Sequence, residues 1–347
     1  MNKVDLYIWA NDYSSNTGEG RLARNFISFL QKEYPGSIIK IKTWKQEFII
    51  ENNKIEKSYI TQKNNYFYKY LIFIFGIFYL WSKRKNKIVY INYLPLWNFL
   101  IFLLLPKKTI LGPITGGVKV DKINNLENFA RILIFPIFYK ISLFIINFKY
   151  KRVLFSTNLL KRYVKNKKTQ NFFYGYIYNL FNYNRNHFKK KYDLVFYNRN
   201  YNSKKNYLVK EIISKLPNNL KICVIGDKYR GNNFINKGYV VHKKVLKFIC
   251  QSKMAFATSE NLLSLFAIDC YNSGVKLIYD KRTLLDNTIS NKNSIMINYT
   301  NPKESSKIIL NQLTLYKFKE DSKFNKFLNK KKHLLRIFLK HYFKNNL

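Results

Sequence analysis

Short apolar runs rich in β-branched and aromatic residues alternate with amphipathic helical segments along nearly the whole chain, and this alternation is the strongest constraint on its fold. Val4 to Trp9 is the first such run. A polar loop, NDYSSNTGEG, follows it, and GRLARNFISFLQKEY then places Leu22, Phe26, Phe29 and Leu30 on one helical face. Similar units recur at IVYINYLP, TILGPITGG and RVLFST in the first half, and at YDLVFYNRN, LKICVIGD, MAFATSE and VKLIYD in the second. Strands interleaved with helices predict an α/β chain of parallel sheets with helices on both faces.

At roughly 150 residues per domain, 347 residues suit two domains, each able to bury its own core. Apolar periodicity fails in the Asn/Lys-rich stretch 166–191, which is read as a linker. The expected organisation is a first domain at 1–165, a second at 192–315, and a basic amphipathic helix at 316–347. That helix carries Phe324, Phe327, Leu328, Leu335, Phe338 and Tyr342 at helical spacing, and either binds a membrane or returns to the first domain.

The 62 Lys and Arg against 19 Asp and Glu set a formal charge of +43, a field that holds a protein against an anionic surface, whether membrane or nucleic acid. The aromatic residues lie in apolar runs instead of alternating with basic ones on a strand, so a nucleic-acid partner is not expected. Cys223, Cys250 and Cys270 are too scattered for a disulfide framework or a metal site, so no metal or cofactor is expected. The N-terminus has no apolar stretch of the signal-peptide kind, and a cytoplasmic setting is expected.

Three apolar stretches raise the membrane question: YLIFIFGIFYLW, residues 88–106, and residues 132–148. The first has about 12 residues, or roughly 18 Å of helix against a hydrocarbon core of about 30 Å. The second divides into a strand ended by Pro95 and a helix, LWNFLIFLLL; the third carries Lys140 at its centre. Aromatic residues beside lysine clusters such as KRKNK favour helices lying on an anionic membrane over helices crossing it. The alternative is that they only pack on the sheet.

In open parallel sheets ligands bind beyond the carboxyl ends of the strands, so four loops become candidates. The first, NTGEGR, puts Gly18 and Gly20 at a helix N-terminus that suits a phosphate, or forms an ordinary turn. In LGPITGG, Gly116 and Gly117 permit close backbone approach, to a ligand or within a tight connection. NRNYNSKKN places Arg199 and Lys204 five residues apart at a strand end, a fork and a point charge that suit a diphosphate, or a basic pair of ordinary solvated surface. The last, SENLLSLFAIDCYNSG, opens a helix with Ser259 and Glu260 and carries Asp269, either a solvated helix residue or a carboxylate accepting hydrogen bonds from vicinal sugar hydroxyls.

Together these loops resemble the GT-B glycosyltransferases, particularly the family-4 type that uses nucleotide sugars. In that family a strand-end Arg and a Lys five residues later hold the donor diphosphate, as Arg199 and Lys204 are spaced here. A later strand ends in Gly, matched at Gly226. A Glu-x7-Glu motif follows whose second acid binds the ribose five residues before a Gly, an interval that Asp269 and Gly274 keep. The spacing from Glu260 to Asp269 is nine positions in place of eight, Asp replaces Glu, and Lys205 stands where Gly is usual. The resemblance implies two Rossmann-like domains and donor contacts from Arg199, Lys204, Gly226, Glu260, Ser264, Leu265 and Asp269. Arg199 and Lys204 would stabilise the leaving group, and the loops with Gly18, Gly20, Gly116 and Gly117 would serve the acceptor side. It further implies a retaining transfer. Stabilisation of the leaving group by Arg199 and Lys204 needs no metal. The aromatic-rich, Lys-flanked helices of the first half point to a lipid-linked saccharide acceptor in surface polysaccharide synthesis, of the O-antigen kind, and to a peripheral enzyme at the inner face of the cytoplasmic membrane. No general base is assigned.

Overall fold

The computed structural model describes residues 6–51, 54–60, 71–92, 94–117, 126–156, 158–160, 163–164, 172–173, 188–199, 206–231, 233–257, 264–282, 294–316, 333, 336–338 and 340–344. The chain divides into two compact units, one of Met1–Asn179 with Lys330–Leu347 and the other of Leu180–Asn329.

In chain order the first unit contains β1 (Leu6–Trp9), α1 (Gly18–Glu33), β2 (Ile39–Lys42), β3 (Gln46–Glu51), β4 (Lys54–Ile60), α2 (Ile72–Ser82) and β5 (Lys87–Tyr90). There follow β6 (Leu94–Pro95), α3 (Phe99–Leu104), β7 (Ile110–Leu111), β8 (Ile114–Thr115), α4 (Leu126–Phe129), a π-helical segment (Ala130–Ile134), α5 (Phe135–Lys149), β9 (Leu154–Phe155) and β10 (Phe172–Phe173). The main sheet runs β4-β3-β2-β1-β5-β7, parallel from β2 to β7, with β3 and β4 added as an antiparallel edge. A second, all-parallel sheet runs β10-β9-β8-β6, so Phe172–Phe173 inside the segment read as a linker pairs with Leu154–Phe155.

The main sheet is buried on both faces, which is why its central strands are continuously apolar. Leu6 and Ile8 enter one core with Ala23, Phe26, Ile27 and Leu30 of α1, while Trp9 and Tyr90 enter the other with Ile77 and Leu80 of α2. Thr17 caps α1, and the helix turns slightly from the face expected from sequence: Ala23 and Ile27 are buried and Leu22 only half-buried. Gly76 lets α2 lie on Trp9, since a Cβ there would stand 2.4 Å from the indole nitrogen. Described residues between 333 and 344 are helical and close the first core. Phe343 packs on Phe26 and Phe29, and the Tyr342 hydroxyl donates to the Leu111 carbonyl at 2.6 Å.

Two sequence expectations change in detail. IVYINYLP is not one strand: β5 stays in the main sheet and β6 joins the second. TILGPITGG divides likewise into β7 and β8. The Gly112 amide still donates to the Tyr90 carbonyl at 2.8 Å, but Pro113 has no amide to continue the ladder and the chain changes sheet.

The second unit contains β11 (Tyr192–Asn198), α6 (Asn206–Ile213), β12 (Ile222–Gly226), β13 (Phe234–Gly238), α7 (His242–Cys250), β14 (Ser252–Phe256), α8 (Leu265–Asn272), β15 (Lys276–Asp280), β16 (Ser294–Ile297) and α9 (Pro302–Thr314). Its sheet is wholly parallel, in the order β13-β12-β11-β14-β15-β16. Leu194, Phe196, Ile222, Val224, Met254 and Phe256 face one core with α6 and α9 residues such as Ile212 and Ile309. The parallel α/β architecture expected from the sequence is therefore present in each unit.

Candidate functional site

In the second unit the strand order reverses at β11, whose neighbours β12 and β14 lie on opposite sides of it. At such a switch point the loops leaving adjacent strands diverge and open a crevice at the carboxyl edge. The loop after β11 begins with Arg199, and the segment after β14 leads into α8, so the fold itself brings these two motifs together.

The end of β11 is held tightly. Asn198 is buried and its side-chain amide donates to the Asp227 carbonyl at 2.9 Å, while the Asp227 amide donates to the Asn198 carbonyl at 3.0 Å. Asn206, the first residue of α6, donates to the Arg199 carbonyl at 3.0 Å. Gly226 adopts φ +95°, and a Cβ on it would stand 2.3 Å from the Asn198 carbonyl oxygen. Only glycine allows β11 and β12 this approach.

The Arg199 guanidinium lies 5.2 Å from the centre of the Tyr197 ring and within 3.4 Å of its hydroxyl. Tyr197 in turn stacks on Phe266, with ring centres 6.0 Å apart. Phe266 is the second residue of α8, whose cap is Ser264: its hydroxyl accepts from the Ala267 amide at 3.2 Å, and Leu265 is the first helical residue. One turn further along α8, buried Asp269 has Oδ2 3.0 Å from Nε2 of His242, the first residue of α7. Arg199, Gly226, Ser264, Leu265 and Asp269 thus share one edge of the unit. Lys204 and Glu260 lie outside the described residues.

Beside them, the Tyr239 hydroxyl donates to Asp227 Oδ1 at 2.6 Å. That bond to a carboxylate pushes the phenol up to about 12. The Tyr239 ring is largely exposed.

The first unit has its own switch point at β1, between β2 and β5. The loop that leaves β1 is clamped by Arg24, whose Nη1 donates to the Tyr13 and Ser15 carbonyls, each at 2.6 Å. Gly20 is required there, because a Cβ would stand 2.4 Å from the Asp12 carbonyl oxygen and 2.3 Å from that of Ser15. The Thr17 hydroxyl accepts from the Gly20 amide at 3.2 Å, Gly18 opens the helix, and Glu19 puts a negative charge in its first turn. Burial, with Glu19 as a lesser cause, pushes the Asp12 carboxyl up to about 6. Gly116 and Gly117 adopt φ +134° and +81° and pack inside the unit: the Gly117 amide donates to the Tyr139 hydroxyl at 3.3 Å, and a Cβ on Gly117 would stand 2.8 Å from Leu159.

With this geometry in place, likeness to solved structures becomes informative. Sucrose-phosphate synthase from Thermosynechococcus elongatus aligns over 99% of this chain and 99% of its own, with TM-score 0.66 and 12% identity. The lipopolysaccharide outer core galactosyltransferase WaaB aligns over 99% of each chain, with TM-score 0.56 and 10% identity. Anabaena HepE, solved in complex with UDP and glucose, aligns over 93% of this chain and 91% of its own, with TM-score 0.52 and 8% identity. The chain has the GT-B glycosyltransferase fold. No family model matches the sequence, and no curated protein aligns with it significantly.

Set in the GT-B frame, two groups absent from the sequence-based assignment stand out. His242 is a lone histidine in VVHKKVL, and only the packing of α7 on α8 brings it to Asp269. Asp12 is one of few acids in the first unit and leaves β1 at the switch point, a signal that the glycines beside it obscured. Among the described residues no group of three or more His, Cys, Asp or Glu gathers into a set that could hold a metal ion.

Proposed function

We propose that this chain is a nucleotide-sugar glycosyltransferase. The observation that carries the reading is the placement of Arg199, just beyond β11, and Asp269, on the helix that follows β14, on either side of the switch point of the second GT-B unit. In this reading a nucleoside diphosphate sugar lies along the carboxyl edge of that sheet, with the diphosphate against Arg199 and Lys204 and the ribose hydroxyls donating to Asp269. HepE, with UDP and glucose bound, and WaaB, a galactosyltransferase, are consistent with it.

Breaking the bond between sugar C1 and the diphosphate builds negative charge on the leaving group. The Arg199 fork, the Lys204 ammonium and the α8 amides would stabilise that charge as it develops, which lowers the barrier without a metal ion. Tyr197 and Phe266 fix the Arg199 plane in advance, so little ordering remains to be done when donor arrives. Gly226 keeps the backbone low enough for the diphosphate to reach the strand ends.

We further assign transfer with retention to a lipid-linked saccharide, in assembly of a surface polysaccharide such as an O-antigen, by a peripheral enzyme on the inner face of the cytoplasmic membrane. The support is the resemblance of the donor motif to the family-4 type and the basic, aromatic-rich helices of the first unit. Thermal-shift screening against UDP, GDP, CMP and ADP sugars tests the class and names the donor together. Stabilisation by none of the four groups, with intact protein, would remove the reading.

A further inference from the structure

The helix Ala130–Lys149 is long and apolar enough to cross a membrane by composition, with mean hydropathy 1.7 and 20 residues. Its packing decides otherwise. Tyr139, Ser142, Leu143 and Ile146 are buried on one side of it: the Ser142 hydroxyl donates to the Leu96 carbonyl at 2.5 Å, and the Tyr139 hydroxyl accepts from Gly117. Crossing a bilayer would strip this face from the core and leave those groups without partners in hydrocarbon.

The opposite side carries an uninterrupted apolar stripe: Ile134, Ile137, Ile141, Phe144 and Phe148 are all exposed, at intervals of three, four, three and four residues. It is about 20 Å long at 1.5 Å per residue. Phe144 is 75% exposed and Phe148 84%, values that a soluble surface rarely gives to neighbouring phenylalanines. The adjoining α3 exposes Leu100, Leu103 and Leu104, and α2 exposes Phe78 and Trp81.

The three helices meet at their carboxyl ends. Trp81 Nε1 donates to the Leu104 carbonyl at 2.7 Å, tying α2 to α3. The Lys149 ammonium donates to the carbonyls of Phe102 at 3.1 Å and Leu103 at 2.6 Å, and also to that of Leu105, tying α5 to α3. Around that junction Arg84, Lys85, Lys107, Lys108 and Lys151 are exposed, and no Asp or Glu occurs between residues 57 and 120 or between residues 128 and 192. An apolar face rimmed by cations alone complements a surface that is apolar below and anionic above.

We propose that the exposed faces of α2, α3 and α5 form one docking surface for an anionic phospholipid bilayer, with α5 lying in the plane of the interface and Phe144 and Phe148 inserted below the headgroups. Lys140, exposed one turn from Ile137 and Phe144, keeps its ammonium at headgroup level by extending its stem. This deepens the membrane partner assigned above but stands on unit-one geometry alone.

The test is sedimentation of the full chain with vesicles of phosphatidylcholine alone or with about 30 mol% phosphatidylglycerol. Wild type should bind the anionic vesicles at least about tenfold more tightly, and Phe144→Glu/Phe148→Glu and Lys107→Glu/Lys108→Glu should each lose about tenfold or more. Both variants alter exposed side chains, and their nucleotide-sugar thermal shifts should equal those of wild type. That arm separates failure of this surface from failure of the donor reading. Wild-type binding no stronger than that of the variants overturns the proposal. So does a wild-type dimer that Phe144→Glu/Phe148→Glu converts to monomer, which would assign the face to a second copy. Resistance of membrane-bound protein to carbonate extraction would overturn the in-plane placement.

Discussion

The Nε2 atom of His242 lies 3.0 Å from Oδ2 of Asp269, joining the first turn of α7 to the middle of α8 across 27 residues of sequence. Asp269 is almost wholly buried, while a quarter or more of the imidazole meets solvent. A carboxylate in that setting keeps one orientation because its partner keeps it there. If Asp269 receives the ribose, His242 is a positioning residue. His242→Ala should raise the KM for donor about tenfold while kcat changes little, because the lost contact acts equally on bound substrate and transition state. His242→Gln, which restores a donor, should recover most of the loss. Steady-state kinetics on both variants check this.

Removing the acid itself goes further. Asp269→Ala deletes the contact with His242 and the proposed ribose contact, and should weaken nucleoside diphosphate binding by about one to two orders of magnitude. Isothermal titration with the nucleotide identified by thermal shift measures it. Binding within twofold of wild type would remove Asp269 from the site.

Arg199 differs, because its proposed partner gains charge as the reaction proceeds. Arg199→Ala should lower kcat by about 10²- to 10³-fold with a smaller effect on KM. Arg199→Lys should recover only part, since a point charge neither stacks on Tyr197 nor forms a fork. A fall confined to KM would mean that the guanidinium serves ground-state binding alone.

Much of this arrangement is legible before any coordinates. Strands such as ICVIG and LYIW declare themselves as continuous apolar runs because both faces of a parallel sheet are covered; Arg199 follows as the group just beyond a strand end, and Asp269 is marked only by its interval to Gly274. Other elements are silent. The edge hairpin β3–β4 mixes Glu and Lys with its apolar residues, and its alternation is weaker than the surrounding helical patterns. The second sheet of the first unit is built from two-residue strands, too short to carry any period. The His242–Asp269 contact is purely tertiary. The stripe on α5 is apolar inside and out, so its sequence reveals a greasy helix but not which side the fold covers.

Gly226→Ala tests the backbone geometry under the donor site through stability. The added methyl would stand 2.3 Å from the Asn198 carbonyl oxygen, a backbone atom that β11 cannot release, and φ +95° is strained for any side chain. Destabilisation of about 2–4 kcal/mol is expected, read as a lower denaturation midpoint with an unchanged m-value. Gly36→Ala is the control: φ is +81° there too, but no atom lies within 4 Å, so a smaller loss of about 1 kcal/mol should result from backbone strain alone.

Asp12 sets a pH dependence whose sign runs against that of an ordinary surface acid. Burial raises its folded pKa to about 6 from the usual 3.8, so between these values the folded chain holds a proton that the unfolded chain has released. Stability from this group is therefore complete below about pH 4 and falls as pH rises through 6, the opposite of a salt-bridged carboxylate. Asp12→Asn removes the ionisation, and should stabilise the protein at pH 7.5 by about 1 kcal/mol, a value reduced by the solvent that still reaches the half-buried carboxyl. Thermal unfolding of wild type and variant from pH 4 to pH 8 should show curves that converge at the acid end, diverge between about pH 4 and 6 and stay apart above that. Curves that separate instead at low pH would mean that Asp12 ionises with a normal or depressed pKa, held by a cation in the loop after β1.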